Sequence, residues 1–120
     1  MVMLDTGKSG AALLLGPSGT RPNLFNLGSG SGTIAVTDTW LKADLDFPRI
    51  FTNVDISTSK ETTWTGDWDA LGLSGLTPSE FVLSTGSTIE SGTAWVLEYF
   101  GSRTYDGSRE LQIQITLQVY

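Results

Sequence analysis

Several features of the chain have residue types that could carry chemistry. Gly7-Lys8-Ser9-Gly10 has the order that closes a phosphate-binding loop. The full motif needs a glycine five positions before its Gly-Lys pair and a strand in front of it. Position 2 is Val, so the match fails. Gly28-x-Gly30-x-Gly32 lacks dinucleotide-binding spacing and follows no βαβ unit, so it reads as a loop. The acidic pairs Asp44/Asp46 and Asp67/Asp69 offer hard oxygen ligands, but neither has calcium-loop spacing. The same carboxylates could make an acid–base pair for glycoside hydrolysis beside Trp64 and Trp68, although so small a β domain shows no sign of a deep cleft. Lys8, Lys42 and Lys60 stand in no recognisable hydrolase frame. Trp40, Trp64, Trp68 and Trp95 could stack on sugars; the plainer reading is that they fill the core and subunit contacts.

Composition removes further chemistry. There is no Cys and no His, which excludes thiolate nucleophiles, disulfides, Cys/His zinc sites and imidazole catalysis. No catalytic residue, metal ligand or cofactor-binding residue is therefore expected. Net charge is −6, which opposes binding to phosphate backbones and to anionic membrane surfaces. Neither a nucleic-acid nor a membrane partner is expected. The longest aliphatic run, Ala11 to Leu15, is far too short to span a bilayer.

The elements that must position these residues are mostly strands. The 120 residues suffice for one domain with one core. Only 17% are charged, and Ser and Thr occupy 29 positions, a bias towards strands and turns. Asp5 to Leu15 is the one helix candidate, stopped by Gly16-Pro17. A short strand is expected over Pro22 to Leu27, then a flexible Gly/Ser loop over Gly28 to Thr33, then a turn near Thr37 to Leu41. Arg49 to Ser57 and Thr62 to Trp68 alternate with period two. Glu80 to Leu83 is a short apolar run, and Thr93 to Phe100 is apolar on both faces, as in a doubly covered strand. Tyr105 to Ser108 is a turn. Leu111, Ile113, Ile115, Leu117 and Val119 alternate with Gln112, Gln114, Thr116 and Gln118, so one face is expected in the core and one in water. The expected fold is all-β: a small antiparallel sandwich or barrel of about six to seven strands with one short N-terminal helix. Residues 1–120 form one domain, with 1–21 as helix and arm and 22–120 as the sandwich.

The order of segments carries a resemblance. A short Gly-containing helix, Thr6 to Leu15, precedes a strand that runs into a Gly-rich segment, Leu24 to Thr33. Asp38-Thr39-Trp40-Leu41 and Asp44 follow. A later strand starts with an acidic residue, Ser79-Glu80-Phe81-Val82-Leu83, and two closing strands end the pattern, Gly92 to Leu97 and Leu111 to Tyr120. In this order the chain resembles small virion structural proteins of tailed viruses and the N-terminal attachment domain of phage tail-fibre proteins. One departure is Phe81, where that pattern usually has Gly after the acidic residue.

The resemblance implies a non-enzymatic structural part of a virus particle, located in the virion. Its expected partners are other virion proteins, of the tail and baseplate or of the capsid, together with copies of itself around a symmetry axis. Attachment at the tail is slightly preferred to decoration of the capsid surface. An aromatic-lined carbohydrate-binding module is the rival from another class, and exposed aromatic rings on one face would favour it. The residues expected at an interface are Trp40, Trp64, Trp68, Gln112, Gln114 and Gln118.

Overall fold

The computed structural model describes residues 2–8, 22–51, 53–58, 61–85, 93–101 and 103–118, with the backbone course alone for 46–51, 53–58, 61 and 118. The elements are β1 (Val2–Met3), a helical turn α1 (5–8), β2 (Leu24–Gly28), β3 (Asp44–Phe51), β4 (Asn53–Thr58), β5 (Glu61–Trp68), α2 (Ala70–Leu73), β6 (Glu80–Ser84), β7 (Ala94–Tyr99) and β8 (Leu111–Gln118). Five strands form one sheet in the order β1-β7-β6-β2-β3, and three form another in the order β4-β5-β8. Every pairing is antiparallel. The fold is therefore the expected small all-β one.

The strand count needs two corrections. Arg49 to Ser57, read as one strand, is divided between β3, which pairs with β2, and β4, which pairs with β5. A continuous apolar alternation holds no information about which sheet each half joins. Val2–Met3 adds a two-residue strand that is too short to leave a period. There is also a second helical turn, α2. Asp69 caps it by accepting a hydrogen bond from the Gly72 amide at 2.6 Å, and the turn drops Leu73 into the core. Of the expected helix, 5–8 is helical; the remainder to Leu15 lies outside the described residues.

The sheets face each other across a core of Phe25, Leu27, Phe81, Leu83, Trp95 and Val96 from the larger and Trp64, Trp68, Ile113 and Ile115 from the smaller. Phe25 links them: its ring centroid lies 5.9 Å from Trp68 and 5.8 Å from Phe81, the latter edge-on. Phe81, the departure from the tail-fibre pattern, is thus a core residue. A second cluster covers the other face of the five-stranded sheet. There Leu4 and Leu41 pack on Val82, Ala94 and Leu97, flanked by Val2, Ile34 and Trp40. β7 is consequently covered on both faces, as its two-sided apolar pattern requires.

Candidate assembly surface and the Glu80 clasp

β8 runs in unbroken register along β5, from Glu61 opposite Gln118 to Trp68 opposite Leu111. Period-two geometry sends Ile113 and Ile115 inwards, where both are buried, and leaves Gln112, Gln114 and Thr116 exposed. Leu111 is only half-buried, and Leu117 is 37% exposed although it has core-facing parity. Leu117 helps, with Met3, Trp95, Val96 and Ile115, to line a cavity of about 150 Å³. Val119 lies outside the described residues.

The outer face carries cross-strand polar pairs. Thr63 and Thr116 share a hydrogen bond of 3.0 Å between their hydroxyls. Gln112 donates from Nε2 to Asp67 Oδ1 at 2.7 Å, and Thr65 stands opposite Gln114. Neighbouring Oγ and amide groups directly across an antiparallel pair stabilise it by about 0.2–1 kcal/mol each. The result is a wet, nearly uncharged surface in which Asp67 is the single charge among these six positions.

The tryptophans do not join it. Trp64, Trp68 and Trp95 are each no more than 3% exposed. The expectation that Trp64 and Trp68 form an interface is corrected: their rings face the opposite sheet and present no surface to a partner or a sugar. Trp64 Nε1 donates to the Pro22 carbonyl at 2.9 Å, which fixes that ring further. Trp40 alone is half-exposed, packed on the outer cluster with Nε1 donating to Asp44 Oδ2 at 2.7 Å. The Gln118 side chain lies outside what is described.

Three acids of the two pairs have local structural tasks, and the Asp46 side chain lies outside what is described. Asp44 receives Trp40, Asp67 receives Gln112 and Asp69 caps α2. No group of three His, Cys, Asp or Glu side chains placed to hold a metal occurs among the described residues. Gly7 of the failed phosphate-loop match serves packing: a Cβ there would lie 2.5 Å from the Trp95 carbonyl oxygen. Lys8 pairs weakly with Asp5 at 3.8 Å, both side chains being largely exposed.

The Gly-rich segment, read as a flexible loop, runs on from β2 without regular structure, and its first glycines lie against one carboxylate. Glu80 is fully buried at the start of β6, and its Oε1 accepts the Ala43 amide at 2.9 Å. A Cβ on Gly28 would lie 2.3 Å from Glu80 Oε1, and one on Gly30 would lie 2.9 Å from both carboxylate oxygens. Ser79 donates its hydroxyl to the Gly30 carbonyl and its amide to the Gly28 carbonyl, and Ser29 donates to Ala43. The glycines and the acidic residue, some 50 positions apart in sequence, are two halves of one contact. No pairwise signal in a single sequence joins them. Asn26 and Ser84 are buried on the same sheet face with side-chain polar atoms that reach no partner.

Asp38 organises the turn over the outer cluster. Its Oδ2 accepts the Ala35 amide at 3.0 Å, and Lys42 approaches its Oδ1 at 3.4 Å. The Ala35 hydrogen bond, helped by Lys42, holds the Asp38 carboxyl below its ordinary pKa despite an opposing contribution from desolvation. Asp106 is lowered likewise by the hydroxyl and amide of Ser108. Burial raises the Tyr99 phenol, and the nearby Glu80 carboxylate adds to the rise. Compared with known protein families, with curated proteins and with solved structures, the chain finds no match in any of the three.

Proposed function

We propose that the chain is a non-enzymatic structural component of a tailed-virus particle. It attaches to, or reinforces, a symmetric assembly, with the tail or baseplate as the preferred location. The observation that carries this reading is the Glu80 clasp. The Gly-rich segment, the Asp38 turn and the acidic start of β6, which make the segment order resemble tail-attachment domains, meet as one piece of structure in this chain. The polar outer face of β5 and β8 supports it, since mostly uncharged hydrogen-bonding groups suit contacts between subunits in an acidic chain. The burial of Trp64, Trp68 and Trp95 speaks against the sugar-binding alternative, which needs exposed rings.

Location tests the proposal. A tagged copy expressed during lytic growth of a tailed virus that encodes it should co-purify with particles at a fixed copy number. Labelling on the tail supports the preferred placement, and labelling over the head replaces it with capsid decoration. Absence from purified particles sinks the reading altogether.

A further inference from the structure

Among the described residues each sheet ends in strands with an unpaired side, and exposed edges invite pairing with another chain unless something blunts them. Three of the four edge strands are blunted. β1 has only two residues. β3 contains Asp44, Asp46, Pro48 and Arg49, and its register with β2 is interrupted. β4 contains Asp55 and is interrupted at 55–58. β8 has none of these protections. It is eight residues long, Leu-Gln-Ile-Gln-Ile-Thr-Leu-Gln, with no charge, no proline and no break in register. Among the described residues it pairs on its β5 side alone.

We propose that β8 pairs with β8 of a second copy of this chain, antiparallel about a two-fold axis, to join two three-stranded sheets into one. The axis must stand normal to the sheet, because only that arrangement keeps the inward faces of both copies on the same side. The centre then falls on a residue, and Gln114 is the residue that uses the whole span 111–117. Ile113 of each copy lies opposite Ile115 of the other, Gln112 opposite Thr116, and Gln114 opposite its own counterpart. Apolar meets apolar at every inward position and polar meets polar at every outward one. The half-buried Leu111 faces the exposed Leu117, so the pairing covers the one large apolar side chain that β8 leaves in water. An uncharged seam also suits two copies that each carry a net charge of −6. Such an isologous contact is the usual form of a closed dimer.

The inference stands apart from the virus-particle reading. A dimer that never binds particles keeps it and removes that reading; a monomer that binds particles does the reverse. Sedimentation equilibrium of the full chain over a wide concentration range should show a monomer–dimer equilibrium. Gln114→Lys and Gln114→Glu each place like charges across the axis and should weaken self-association by up to about fivefold. Mixing the two variants should restore it as a heterodimer. At concentrations where the parent is monomeric, both variants should melt close to it, since position 114 is exposed there. In this cysteine-free chain, Gln114→Cys should form a covalent dimer on oxidation, because facing residues of an antiparallel pair lie within disulfide reach. A chain that stays monomeric at every concentration overturns the proposal. So does a dimer that ignores both charge variants and their mixture.

Discussion

At the residue scale, the buried Glu80 carboxylate explains glycines that composition alone assigns to flexibility. A methyl group at position 28 would enter the space of Glu80 and come within 2.8 Å of the Ala43 carbonyl oxygen, which is backbone and cannot swing away. Gly28→Ala should therefore cost about 1–3 kcal/mol, the usual range for overpacking, seen as a lower urea midpoint with unchanged slope. Ala at the open Gly101, where a Cβ meets nothing within 4 Å, should leave that midpoint nearly unchanged. Asp38 and Asp106 bear on pH. Both have folded-state values below the unfolded carboxylate value of about 3.9, so each contributes stability above that pH. The contribution fades as pH falls through their lowered values. Urea midpoints should drop on acidification below about pH 4, and Asp38→Asn should flatten that limb. An equally steep limb in the variant would show that Asp38 does not contribute to it.

At the element scale, β8 sorts its residues by parity, and the cost of substitution should follow. Ile115 is 4% exposed, paired with Trp64 and lining the cavity between the sheets, so Ile115→Ala should cost about 2–5 kcal/mol. Gln114→Ala removes an exposed amide and should shift stability by no more than about 0.5 kcal/mol in the monomer. Thermal melts of the two variants at low concentration check this, and a larger loss for Gln114→Ala would reverse the assignment of faces. Leu117 shows where parity stops being enough. It has the inward phase, yet it lines the cavity with Met3, Trp95 and Val96 and remains partly in water.

At the scale of the whole molecule, one core draws on both sheets, and the chain passes directly from β3 in one to β4 in the other. Neither sheet can keep its inner face dry alone. Trp64 and Trp68 report from the smaller sheet and Trp95 from the larger, while far-ultraviolet circular dichroism reports on all strands. Urea unfolding followed by tryptophan fluorescence and by dichroism should give one coincident transition. Separate midpoints would mean that the two sheets hold independent stabilities.

The sequence by itself determined the strand-rich class, the inward and outward sides of β8 and the two-sided burial of β7. It also excluded thiol and imidazole chemistry, because that depends only on which residues are present. Periodicity is local, and a strand that buries one face must show it in consecutive residues. Only the tertiary structure decided that Arg49 to Ser57 serves two sheets, that Trp64 and Trp68 are core and not surface, and that Asp69 is a helix cap. It also brought Gly28 and Gly30 against Glu80. Each of these depends on which distant segment lies opposite, a relation set by pairing register and sheet packing over many residues, for which a single chain carries no local mark.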